Sequence, residues 1–425
     1  MCMMCVHRGS GVPRLKPRKR RPLGLAQPQT GVQVRDVEIV QCVQDVTNSV
    51  PLVADKATLV RLYLEPTPVS QPGQITAEIA WSRSGGGDTF VPALNSLRVN
   101  PGSPFSLREQ REDIDKSLNF RLPAAAIGAG TLSLRISRIF QPGGGDLPAA
   151  AFNIAPVTFT AAPPLRIRVI GLRYKAGTTT VTPAAVHFSY LRSFLNRAYP
   201  VAALEWSHMV VDADFAAPFD DSTVDLANAQ IAALRSREVS SGVDPRTHYY
   251  GLVDDNASNN FMRGKAFAIP GTPQPDTVAS GPAGVPNGFA GDRDASYADW
   301  YGAHELGHTF GRFHPGFPPA AQDASDPTFP YENGCISKPD NKYVGVDTGD
   351  HELGLPAAAL PGLISRRDDL CRQPVAIGVH LPGDNDPAFG RGRPRSAGRL
   401  GGSDEDRNQD RIIRSRRRHH QQDRW

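Results

Sequence analysis

The sequence predicts a multi-domain chain: an all-β sandwich, then an α/β (α+β) domain, with disordered basic segments at both ends. Short runs alternate apolar and polar residues in the first part, whereas strand-like and helix-like runs follow one another in the second. The pattern of the sequence changes from the first kind to the second near Ala162. We therefore predict domains at 32–162 and 163–365, and disordered ends at 1–31 and 366–425.

Four alternating runs support the first domain. They are VQVRDVEIVQCV, ATLVRLYLE, ITAEIAWSR and TLSLRISRI, and the turn-forming segments TPVSQPGQ, SGGGD, NPGSP and QPGGGD punctuate this part of the chain. Alternation with a period of two, interrupted by glycine and proline, is typical of antiparallel strands that cover one core.

The second domain is predicted from strands that alternate with helices. RIRVIGLRY, EWSHMVVDA and THYYGLVDD have strand character, and PAAVHFSYLRSFLNRAY and STVDLANAQIAALRSREVS have helix character. This order favours a mostly parallel sheet flanked by helices. A further helix is predicted in SYADWYGAHELGHTFG, where Ser296 and Asp299 have the spacing of a capping box.

Charge and composition argue against several classes of protein. The formal net charge is +4, but residues 1–31 carry seven Lys or Arg and no acid, and residues 366–425 carry fourteen Arg against nine acids. The middle of the chain is therefore acidic, which gives it no electrostatic reason to bind nucleic acid. Binding of nucleic acid through KPRKRR and the Arg-rich tail remains a weaker alternative. Oligomeric state is not indicated.

Cysteines and apolar runs say little about the compartment. The five cysteines are scattered and odd in number, so they predict no disulfide framework. No apolar run is long enough for a membrane span, and the first residues do not have the order of a signal peptide.

The segment HELGHTFGRFHPG, which begins at His304, has the spacing of a metal site. His304 and His308 lie one helical turn apart and face the same side, which suits two imidazoles at roughly 2.0–2.1 Å from one Zn²⁺. Gly311 can adopt a positive φ and end the helix, so that His314 can supply a third nitrogen. The alternative is a core helix with buried, hydrogen-bonded histidines.

Three nitrogen ligands would leave the fourth zinc position for water. The pKa of a zinc-bound water can fall to about 7, and Glu305, one residue from His304, can accept its proton as it attacks a carbonyl. The sequence therefore predicts hydrolysis with Glu305 as general base.

The spacing H-E-x-x-H-x-x-G-x-x-H resembles the metzincin zinc endopeptidases over roughly residues 165–365. This resemblance implies a peptidase fold, Zn²⁺ held by the three histidines of the motif, and a protein or peptide substrate. SVPLVADKATLVRLYLE resembles the opening strands of the immunoglobulin-like domains that precede some bacterial metalloproteases. The resemblance suggests an extracellular protein, although no signal peptide is visible. A second HELG, at His351, lacks the next ligand, and we assign it no metal role.

The chain departs from this family at its methionine turn, because no methionine follows Met262. Read one base later, the codons for Arg366 through Pro382 permit Asp-Val-Met-Thr-Tyr, which resembles the missing turn. We therefore hypothesise a single-base frameshift between about Gly362 and Arg366. A genuine tail is the alternative, and it would favour a catalytically impaired binding protein over an active zinc endopeptidase.

Overall fold

Mixed α and β structure, with more strand than helix, makes up the described part of the chain. The computed structural model describes residues 31–67, 71–147, 152–202, 204–215, 220, 223–257, 261–285, 295–312, 337 and 342–360. Apart from Gly31, the disordered ends predicted at 1–31 and 366–425 lie outside these residues. Gly31 is buried, and its carbonyl accepts from the Thr67 amide at 3.0 Å. Within the described ranges, none of the helices has the length and apolar content that crossing a bilayer requires.

Two sheets form the first unit. One has the antiparallel order β1-β4-β8; the other has the order β3-β10-β9-β5-β6, with β7 also paired to β5 and only β3 and β10 parallel. The strands are β1 Val32–Val40, β2 Val43–Gln44, β3 Leu52–Val53, β4 Leu59–Pro66, β5 Gly73–Ser82, β6 Thr89–Pro92, β7 Leu97–Val99, β8 Leu118–Arg121, β9 Gly130–Phe140 and β10 Val157–Thr160. Short helices are α1 Leu107–Glu112, the 3₁₀ turn Ile114–Lys116 and α2 Ala124–Ile127.

Apolar side chains from both sheets of the first unit meet in one core. Ile39 and Phe120 come from the three-stranded sheet, and Ile75, Leu132 and Phe159 come from the other. The alternation in the sequence explains this arrangement, since every second residue of a strand faces the same side. All four predicted strand runs are confirmed.

A mostly parallel sheet forms the second unit. Its order is β13-β11-β14-β16-β15, in which the antiparallel β15 forms one edge, and the hairpin strand β12 extends β11. The elements are β11 Leu165–Ala176, β12 Thr179–Val181, α3 Ala185–Ala198, β13 Leu204–Asp212, α4 Val224–Ser240, β14 His248–Asp254, β15 Lys265–Ala266, β16 Ala279–Ala283 and α5 Ala298–Thr309. The predicted order of strands and helices is confirmed.

Helices cover both faces of this sheet. Val169 and Tyr250 point to the face covered by α3 and α5, where they pack with Leu191 and Leu306. The alternate residues, such as Tyr249, pack against α4 on the other face. Burial on both faces explains why β14 and β16 are buried along nearly their whole length.

The segment 342–360 returns to the first unit. It forms β17 Val344–Asp347 and β18 Ala358–Leu360, and β17 pairs with β2 in a three-stranded sheet of order β18-β17-β2. Val346 packs with Val40 and Leu59. The sequence did not predict this return, because β17 and β18 are too short to give a periodic pattern.

Polar contacts also join the two units at the end of α3. Lys56 Nζ donates to the carbonyl oxygens of Asn196 and Arg197 at 2.7 and 3.1 Å, and Cys42 Sγ donates to that of Arg197 at 2.9 Å. These groups satisfy carbonyls in the last turn of the helix, where a cation is favoured. The first unit therefore fixes the C-terminal end of α3.

Candidate metal centre

Helix α5 carries the first two histidines of the motif, and it packs closely on α3. A Cβ atom added at Gly302 would lie 2.5 Å from Cδ1 of Leu191, so a larger residue would push the helices apart. Tyr199, which follows α3, donates its hydroxyl to the Ala303 carbonyl at 2.6 Å. Burial raises the pKa of Tyr199, which keeps this donor protonated.

The predicted capping box at the start of α5 is wrong. The helix begins at Ala298, so Ser296 lies before the N-cap residue Tyr297 and Asp299 is only the second helical residue. Ser296 Oγ instead accepts from the Ala298 amide at 3.2 Å and lies 2.7 Å from Nδ1 of His187. The buried serine thus ties the start of α5 to α3.

Gly311 ends the helix as predicted. Its φ is +84°, its amide donates to His308 O at 2.9 Å, and the Arg312 amide donates to Gly307 O at 3.1 Å. These two bonds form a Schellman motif. A Cβ atom at position 311 would lie 2.6 Å from the carbonyl oxygen of Pro270, so the close approach of this loop also requires glycine.

The two histidine rings lie together on one side of α5. The ring centroids of His304 and His308 are 4.7 Å apart, and the planes meet at 85°. Nδ1 of His308 lies 2.6 Å from the Arg312 carbonyl oxygen. Because a carbonyl can only accept, Nδ1 carries the proton, and Nε2 has the lone pair that a metal requires. His308 is 8% exposed, and His304 is more exposed.

Glu305 is 5% exposed and lies against the backbone before β15. A Cβ atom added at Gly264 would lie 2.4 Å from Oε1, 2.6 Å from Cγ and 2.8 Å from Cδ of Glu305. Glycine at position 264 therefore makes room for the whole carboxylate side chain. The sequence analysis missed Gly264, since a lone glycine in a loop carries no signal of what packs on it.

His248 supports the last turn of α5 from the sheet. Its Nδ1 lies 3.1 Å from Oγ1 of Thr309, which in turn donates to the Leu306 carbonyl at 2.8 Å. Burial lowers the pKa of His248 to about 3. The ring is therefore neutral at ordinary pH and acts as a structural donor.

The third predicted ligand, His314, lies outside the described residues, as do Cys335 and the Arg-rich end. Within the described ranges, no three His, Cys, Asp or Glu side chains converge as a metal-binding group. His351 and Glu352 of the second HELG are exposed on a turn closed by the Asp350–Leu355 bridge, far along the chain from α5.

The donors that are described fit a zinc ion. Two imidazoles lie on one side of a helix, and the carbonyl bonded to His308 sets a tautomer whose Nε2 can coordinate metal. The chain matches no family model, no curated protein and no solved structure. Function must therefore be inferred from the residues of the site themselves.

Proposed function

We propose that this protein is a zinc-dependent endopeptidase. The observation that carries the proposal is the His304–His308 ring pair, in which the Arg312 carbonyl fixes the His308 tautomer. This outer hydrogen bond is the arrangement that metal-binding histidines usually have, and a merely structural histidine does not require it. His304, His308 and His314 would hold the ion.

Glu305 is the proposed general base. A bound Zn²⁺ supplies Lewis acidity toward water and toward the peptide carbonyl. The Glu305 carboxylate accepts the proton of the attacking water and then delivers it to the leaving amine. Its burial against Gly264 restricts the positions it can adopt, and such restriction is what general-base catalysis needs.

The first unit is the proposed accessory domain, with an immunoglobulin-like arrangement that holds or presents the protein substrate. Its two sheets around one core and its contacts with the end of α3 support this role. The resemblance to bacterial metzincins also leads us to propose an extracellular location.

A catalytically impaired binding protein is the second candidate. The observation that favours it is the lack of any methionine after Met262, which leaves the family's apolar floor beneath the zinc ligands unaccounted for. The proposed frameshift between about Gly362 and Arg366 would remove this objection. Resequencing the gene and measuring the intact mass of the natural protein decide between a frameshift and a genuine C-terminal tail.

Zinc content tests the site. The protein should bind about one Zn²⁺ per chain, and His308→Ala should lose it, because two remaining ligands hold zinc poorly. His351→Ala is the control, since it replaces an exposed histidine of the second HELG, to which no metal role is assigned. Equal zinc in wild type and His308→Ala, measured by elemental analysis, would rule out the site.

Turnover separates the enzyme from the binding protein. Hydrolysis of an unstructured protein should rise at least tenfold when the alternative frame is restored. In that restored protein, Glu305→Ala should lower kcat/KM by about 10²- to 10⁴-fold, the usual cost of losing a general base, while zinc stays bound. If the restored, zinc-loaded protein shows no turnover that depends on Glu305, the protein is better explained as a binding protein than as an endopeptidase.

A further inference from the structure

Tyr250 has a buried hydroxyl that the fold itself does not explain. The residue is fully buried in the middle of β14, and its hydroxyl has no hydrogen-bond partner among the described residues. A buried polar group without a partner typically costs about 1–3 kcal/mol, and phenylalanine would avoid that cost. Such a group calls for a functional explanation.

Two glycines open the space between this hydroxyl and Glu305. A Cβ atom at Gly281 would lie 2.3 Å from the Tyr250 hydroxyl oxygen and 3.5 Å from Cα of Gly264. A Cβ atom at Gly264 would in turn lie 2.4 Å from Oε1 of Glu305. The strip of backbone between the two polar groups therefore has no side chains of its own.

Electrostatics agrees with this proximity. Burial is the main cause that raises the pKa of Tyr250, and the nearby Glu305 carboxylate is the second. The phenol therefore stays protonated and keeps a hydrogen to donate. Among the neighbouring side chains, Glu305 has the largest electrostatic effect on the pKa of Tyr250.

We propose that Tyr250 is a positioning residue for Glu305, and that its hydroxyl donates a hydrogen bond to one water that in turn donates to the Glu305 carboxylate. A water that bridges two buried polar groups is nearly as favourable as a direct hydrogen bond. The bridge would restrict the orientation of the carboxylate. The catalytic part of this inference rests on the proposed function, whereas the coupling between the two side chains does not.

Ser280 provides a matched control on the same sheet. Its hydroxyl is also fully buried and also has no partner among the described residues. It points to the opposite face, because a Cβ atom on the neighbouring Gly251 would touch both Ser280 and Ile231 of α4. Ser280→Ala therefore removes a comparable hydroxyl far from Glu305.

Thermal unfolding of the full-length protein tests the coupling. Tyr250→Phe should lower Tm by about 2–4 °C when Glu305 is present, and should have no effect or a small stabilising one in Glu305→Ala. Ser280→Ala should shift Tm equally in both backgrounds. Equal Tyr250→Phe shifts in the two backgrounds would overturn the inference, and Glu305→Gln provides a second background if the alanine variant folds poorly.

Kinetics on the restored, zinc-loaded protein tests positioning. Tyr250→Phe should lower kcat about tenfold with KM and zinc content unchanged, whereas Ser280→Ala should change neither constant. Coupling in Tm without a change in kcat would overturn the positioning role. If Glu305→Ala keeps full turnover, the proposed function fails, but the Tm result still decides whether the two side chains are coupled.

Discussion

The first unit pairs its buried charges, whereas the second unit leaves the buried Tyr250 hydroxyl without a partner close to its motif. Glu38 and Arg111, each about 1% exposed, form an ion pair at 2.6 Å, and the Tyr63 hydroxyl donates to the same carboxylate. The Tyr250 hydroxyl has no partner among the described residues. Buried polar groups of the first kind specify a fold, and those of the second kind are found where a site needs them.

The largest expected effect is on the first unit. Glu38→Ala leaves the Arg111 guanidinium buried without its carboxylate, and we expect a loss of about 3–5 kcal/mol in the free energy of unfolding. Urea denaturation measures it. Arg135→Ala, which breaks the more exposed pair with Asp88, should cost no more than about 1 kcal/mol. Similar losses in the two variants would show that burial does not make the Glu38–Arg111 pair more important to the first unit than an exposed pair.

Gly264→Ala should affect the second unit through Glu305. The added methyl group overlaps the carboxylate side chain, so we expect about 1–3 kcal/mol of destabilisation and a fall in kcat/KM of up to about 10²-fold. The control is Gly271→Ala, since a Cβ atom there meets nothing within 4 Å. Unchanged turnover in Gly264→Ala would mean that the position of Glu305 does not limit catalysis.

Acid should weaken the second unit through His248. Its folded pKa of about 3 lies below the usual 6.5, so the unfolded chain binds a proton in this interval and the folded chain does not. Stability from this group is therefore present above pH 6.5 and falls as the pH is lowered toward 3, by at most about 1.4 kcal/mol per unit. Chemical denaturation of His248→Gln at several pH values should show a smaller slope, and the exposed His351→Gln should not.

The smallest expected effect comes from the two ends. Removing residues 1–31 and 380–425 should change Tm by less than about 5 °C, because neither segment has the apolar periodicity to join a core. Calorimetry of the shortened and full-length proteins makes the comparison. A larger fall would show that an end packs against one of the two units.

Periodicity predicted the strands and helices because it records which side chains are buried. The runs that became β4, β11 and α3 were visible for this reason. Local patterns also predicted that Gly311 ends the helix, since a left-handed residue at a helix end depends mainly on its neighbours in sequence. Spacing placed His304 and His308 side by side, as the 4.7 Å between their rings now shows.

Long-range contacts could not be predicted in this way. The return of β17 to β2 involves only a few residues that lie about 300 positions apart. Ser296 failed as the N-cap because the helix begins only at Ala298, and the serine hydroxyl instead lies against His187 on another helix. The contact of Gly264 with Glu305 and the isolation of Tyr250 depend on how separate strands and α5 come together, which no single window of sequence contains.

The return of the chain to the first unit has a mechanical consequence. Strand β1 begins the described part of the chain and strand β18 ends it. Strand β1 belongs to a sheet of the first unit, and β18 belongs to the small sheet that is joined to the first unit through β2. Tension applied at Val32 and Leu360 would therefore load the β17–β18 pairing and then the β2–β17 pairing before it reaches α5. The helix that carries the histidines should keep its shape until that short sheet ruptures.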